Sequence, residues 1–142
     1  MIVVDTNVFV TALRSRTGVS RRIVRAIFGG QIDIGASPAL FLEYEAVLSR
    51  TEQRAASGLT LAEVRAFLDG LALVTTPIAL NFLWRPQLHD PADEMVLEAA
   101  VNGMATELVT WNVRDFKPAA QSFGLRVSPP DVFWKAFSKE ST

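Results

Sequence analysis

Short apolar strands alternating with capped helical segments predict an α/β layer structure, a mostly parallel sheet covered on both faces. Two observations carry this reading. Ile2-Val3-Val4 is apolar at every position rather than alternating, as a strand buried on both faces must be, which puts it at the centre of the sheet. Further short apolar runs recur along the chain, each separated from the next by a segment with helix start or stop signals. At 142 residues the chain is expected to be one domain spanning 1–142.

The elements follow in order. Val8 to about Leu13 reads as a helix, with Asp5, Thr6 or Asn7 available to cap it. A second helix runs from Arg21 to Phe28 and stops at Gly29-Gly30. Ile32 to Ala36 is a strand, and Ser37-Pro38 supplies the N-cap and first-turn proline of a helix reaching about Ser49. Thr60-Leu61-Ala62-Glu63 has capping-box spacing and opens a helix to about Asp69. Leu71 to Thr76 reads as a third strand stopped near Pro77, and Phe82-Leu83-Trp84 either as packing under a loop, the favoured reading, or as an exposed patch serving a dimer or antitoxin. Asp90-Pro91 starts a helix that ends before Gly103. Glu107 to Thr110 is a fourth strand, followed by a loop through Phe116. Leu125 to Val127 is a fifth, and Pro130 to Phe137 a closing helix whose Phe133, Trp134 and Phe137 read as core.

Composition narrows the chemistry. The chain has no cysteine and only His89, which excludes thiolate nucleophiles, Cys-ligated zinc and multi-histidine sites. Carboxylates, hydroxyls and amides remain, and carboxylates select hard cations such as Mg²⁺ or Mn²⁺. No run approaches the roughly 20 apolar residues of a membrane span, and Met1 leads into a strand rather than a secretory signal, so no membrane association and a cytoplasmic location are expected. The net charge of −1 hides a segregation: Thr6 to Ile32 contains no acid but carries Arg14, Arg16, Arg21, Arg22 and Arg25. These arginines are either a solvated helix face or a phosphate-binding patch.

Ligands of open parallel sheets bind beyond the carboxyl ends of the strands. Asp5 stands at that end of the first strand. Asn112 and Asp115, after the fourth, reach the same edge if the two strands run parallel. On the helix from Pro91, Asp93 shares a stripe with Val96, Leu97 and Ala100, whereas Glu94 and Glu98 pair on another face expected to be solvated; Asp90 reads as the N-cap. Glu43 is flanked at helical spacing by Ala39, Leu40, Ala46 and Val47, while Glu45 reads as exposed. Taken singly, each acid is an ordinary cap or surface charge more often than a ligand. Converging carboxylates repel one another unless a divalent cation neutralises them, and ions so held suit water attack on a phosphodiester.

In VVDTNVFV, FLEYEAVLSR, DPADEMVLEAA, LVTWNVRDF and VSPPDVF, taken in that order, the chain resembles the PIN-domain family, in particular the VapC-like toxin ribonucleases of toxin–antitoxin pairs. The resemblance implies a three-layer α/β/α sandwich and an Mg²⁺- or Mn²⁺-dependent endoribonuclease that cleaves RNA. Asp5, Glu43, Asp93 and Asp115 match the family's acidic quartet. Thr6, Asn7, Thr110 and Asn112 match the polar positions around it. Many relatives carry an acid where this chain has Asn112, so one metal in the free protein is expected, with a second arriving with substrate. The resemblance also implies a homodimer and an antitoxin that covers the pocket. An RNA-maturation nuclease without antitoxin, and a non-catalytic RNA- or protein-binding module, are the competing readings.

Overall fold

Parallel pairing on both sides of one buried strand organises the molecule. In the computed structural model, which describes residues 1–82, 88 and 90–140, β1 (Ile2–Val4) lies between β2 (Ile34–Ala36) and β4 (Glu107–Val109). The edges are β3 (Thr75–Pro77) beside β2 and β5 (Arg126–Ser128) beside β4. All four pairings are parallel, in the order β3-β2-β1-β4-β5, with Ile2 opposite Ile34 and Val4 opposite Val109. Val3 and Val4 are fully buried, as the unbroken apolar run requires. With helices on both faces this is a three-layer α/β/α sandwich. No helix among the described residues is long and apolar enough to cross a membrane. Leu83, Trp84 and His89 lie outside the described residues, and Phe82, read as packing under a loop, is exposed instead.

The helices are α1 (Thr6–Arg14), α2 (Val19–Phe28), α3 (Pro38–Leu48), α4 (Thr51–Ser57), α5 (Leu61–Val74), α6 (Pro91–Asn102), α7 (Val113–Ser122) and α8 (Pro130–Glu140). Their starts obey local chemistry. The Ser37 hydroxyl accepts the Leu40 amide at 3.1 Å, and the Asp90 carboxylate accepts the Ala92 amide at 2.9 Å. Thr60 and Glu63 close a reciprocal capping box. In α8, Phe133 is buried and its ring stacks on Phe137, with centroids 6.0 Å apart.

Three segments differ from the sequence reading. Leu71 to Val74 is helix, not strand: Val64, Leu68 and Leu71 form one buried stripe at helical spacing, while Leu73 is 88% exposed. The strand begins only at Thr75, at the sheet edge, where Pro77 is tolerated. The short α4 has no buried residue and therefore no apolar period to reveal it; it ends at Gly58 in the left-handed conformation, φ 76°. The segment after β4 is not a loop but α7, anchored by the buried Phe116 and Ala120 one turn apart despite the exposed Pro118 inside it.

Tyr44 of α3 ties a helix to the central strand. Its fully buried ring meets Phe9 edge-on at 4.8 Å, and its hydroxyl donates to the Val4 carbonyl oxygen. Removing that hydroxyl leaves a buried strand carbonyl short of a donor, a cost of about 1–3 kcal/mol. Tyr44→Phe is therefore expected to lower the melting temperature by several degrees without changing the circular dichroism of the folded state.

Candidate active site

The pairing of β1 with β4 sets the site. The Asp5 amide donates to the Val109 carbonyl at 2.9 Å, so the residues that follow the two strands emerge side by side. Asp5 occupies the N-cap position of α1, yet its carboxylate closes no capping bond. Its Oδ2 instead accepts the Thr110 hydroxyl at 2.7 Å. That hydroxyl in turn accepts the Asn112 amide at 2.9 Å and, more weakly, the Asn7 side-chain amide at 3.4 Å. Burial raises the Asp5 pKa above the usual carboxylate range. The Thr110 bond and the facing Thr6 and Asn7 amides oppose that shift, and the Asp90 charge adds to it. Burial, and secondly the Asp5 charge, also push the Tyr44 phenol well up.

Asp93, in the first turn of α6, is half-buried, and its pKa is pushed up to about 6, first by burial and then by the charges of Asp5, Asp90 and Asp115. Asp90 is thus both helix cap and part of the acidic field. Asp115 lies in the first turn of α7 and is exposed. A cavity of about 440 Å³ lined by Leu88, Asp90, Asp93, Arg114, Asp115, Pro118 and Ala119 opens between α6 and α7.

The other residues singled out in the sequence divide. Glu43 is half-buried on α3, which packs against α1 and α6, but it neither lines this cavity nor is among the charges that act on Asp93. Among the described residues, no three acidic side chains stand close enough to hold one ion. The donor set still suits a hard cation: carboxylates under mutual repulsion stand beside Thr6, whose buried Oγ1 has no hydrogen-bond partner among the described residues. Arg14, Arg22 and Arg25 are exposed, whereas the half-buried Arg21 donates through Nε to the Ala12 carbonyl at 2.8 Å, a structural contact.

Glu94 and Glu98 correct the sequence reading, which placed them in solvent. They are only 4% and 3% exposed. Glu94, Glu98 and Asn102 form a line along α6, and residues before that helix bond both ends of it. Glu94 accepts the Leu88 amide, and Asn102 bonds the backbone of Asn81 and Phe82. Period alone cannot show that a connecting segment bonds a polar face.

Sequence reasoning passed over the support around Trp111. Its amide donates to Asn7 Oδ1 at 3.2 Å, and its indole Nε1 to Thr11 Oγ1 at 3.0 Å and Ser20 Oγ at 3.2 Å. The signal was its place between Thr110 and Asn112.

Comparison with known families matches the PIN domain over residues 1–114. The chain belongs to the PIN-domain family. The matched span runs from β1 to the start of α7, taking in Asp5, Glu43 and Asp93 and stopping one residue before Asp115. PIN domains are generally nucleases and typically use divalent metals. Comparison with curated proteins gave no match.

The acidic field of this PIN domain has a consequence for stability. Asp93 holds its proton to about pH 6 in the fold but only to about 3.8 as an ordinary carboxyl, so the folded state binds more protons between these values. Its contribution to stability is accordingly lost as pH rises from about 4 to about 6. In chelator, the melting temperature of Asp93→Asn relative to the native chain is expected to rise across that window and level off above it. A constant difference would place Asp93 outside the field.

Proposed function

We propose that residues 1–142 form one PIN nuclease unit, a Mg²⁺- or Mn²⁺-dependent endoribonuclease acting as the toxin of a toxin–antitoxin pair. β5 and α8, beyond the matched span, complete its sheet and core. The observation that carries the reading is the acidic field in which Asp5 and Asp115 act on Asp93, with Thr110 hydrogen-bonded to Asp5. Asp5, Asp93 and Asp115 are the proposed metal ligands, with Glu43 joining them by its match to the family pattern. When bound, the cation supplies Lewis acidity toward a phosphoryl oxygen and a water of lowered pKa.

The chain's own groups set the rest. Thr110 holds the Asp5 carboxylate in one orientation, so little ordering remains to be done when substrate arrives. Asp93, whose pKa is about 6 without a cation, must give up its proton before it can act as a ligand. Asn112 offers an amide where many relatives carry an acid, which reduces the negative charge an approaching phosphate must meet. Arg14, Arg21, Arg22 and Arg25 are the proposed contacts to RNA phosphates. A homodimer, a covering antitoxin and a cytoplasmic location belong to the reading through the family resemblance.

Cleavage of a mixed RNA pool tests it. Products are expected with Mn²⁺ or Mg²⁺ and none in chelator, and Asp5→Asn and Asp93→Asn are each expected to lose activity by on the order of 100-fold or more. Products that persist in chelator and in both variants would contradict the assignment. For the RNA-binding region, replacing Arg22 and Arg25 together is expected to weaken binding to all sequences and flatten its salt dependence; an unchanged slope returns them to a solvated face.

A further inference from the structure

An exposed tryptophan is costly to leave in water and is usually mobile at its tip. Trp111 is 40% exposed yet held at three points. Its backbone amide is fixed by Asn7, and its only polar side-chain atom is turned inward to Thr11 and Ser20, which are themselves joined at 2.6 Å. What the side chain presents outward is therefore ring carbon, in a restrained orientation. It stands directly after Thr110, whose hydroxyl bonds Asp5, and directly before Asn112. Ser20, which receives the indole N–H, immediately precedes Arg21 and Arg22, so a cationic stretch begins at the same point.

We propose that Trp111 is a stacking platform for one base of single-stranded RNA, placed beside the acidic site so that the neighbouring phosphate enters it. The inference rests on the nuclease reading and deepens it by naming the residue that receives a base. Unpaired RNA bases splay out and stack on aromatic faces, and because every base has such a face this contact tolerates sequence. A ring already held by hydrogen bonds loses little freedom on stacking, so more of the contact energy appears as affinity. An RNA duplex keeps its bases inside and is expected to gain nothing from Trp111.

The test is binding measured by fluorescence anisotropy in chelator, where no product forms, with a labelled single-stranded RNA and an abasic ribose-phosphate oligomer of equal length. Trp111→Ala is expected to weaken binding of the base-bearing RNA roughly tenfold, and Trp111→Phe, which keeps a ring, by much less. The abasic oligomer is expected to bind all three proteins alike. RNA is also expected to quench the intrinsic fluorescence of the native chain and to lose most of that quench in Trp111→Phe, a readout that does not depend on the alanine variant folding. Unchanged affinity in Trp111→Ala, or equal weakening toward the abasic oligomer, would overturn the platform. If the native chain still shows metal-dependent cleavage, the platform alone fails. If the native chain neither binds nor cleaves RNA, the nuclease reading fails with it. Loss of a protein partner with RNA affinity intact would assign Trp111 to a protein surface, and so also against the proposal.

Discussion

The rest of the site depends on the parallel register of β1 and β4. With Val4 opposite Val109, the next residue of each strand leaves the sheet at the same edge, and a carboxylate meets a hydroxyl. Asp5 is 7% exposed and Thr110 fully buried, so their bond forms where water cannot replace it. A one-residue slip of the central strand would take Asp5 away from Thr110, so the register fixes the bond's position. Tyr44, by donating to Val4 from α3, secures the same strand end from a different helix.

Around that fixed point the chain accumulates charge of one sign. Asp90, Asp93 and Asp115 come from the first turns of two helices or the cap just before one, where the helix dipoles partly offset their charge. Burial, and then the remaining repulsion, hold the Asp93 proton to about pH 6. Such tension is tolerable because β1, β2 and β4 and the helices over them bury a continuous apolar core that does not involve these residues. A stable frame carrying a locally unfavourable cluster is the arrangement expected where the cluster has work to do.

Much of this was legible in the sequence, for identifiable reasons. An apolar run without alternation can only be a strand covered on both faces, so the place of Ile2-Val3-Val4 could be read directly. Ser37, Thr60 and Asp90 announced their helices because their side chains bond amides only two or three residues away. What escaped was either without period or decided at long range. The helix Thr51–Ser57 buries nothing, and Val113–Ser122 contains Pro118 and is anchored by only two buried residues, Phe116 and Ala120. Glu94 is bonded by Leu88 of the connecting segment, and Trp111 is held by residues near the other end of the chain. Asp5, Asp93 and Asp115 were found by their places at strand and helix ends, and the structure brings them into one field. Glu43 was found by an apolar helix face, a weaker signal, and does not line the cavity between α6 and α7.

The central claim is that a divalent cation relieves the repulsion held at this edge. Calorimetric titration of the native chain with Mn²⁺, run at pH 6 and at pH 8 in buffers of different ionisation heat, measures both binding and the protons released by it. Because Asp93 is half-protonated near pH 6, the account predicts binding accompanied by release of part of a proton at pH 6 and almost none at pH 8, with both lost in Asp93→Asn. Absence of binding at either pH, or binding that Asp93→Asn leaves unchanged, would contradict it.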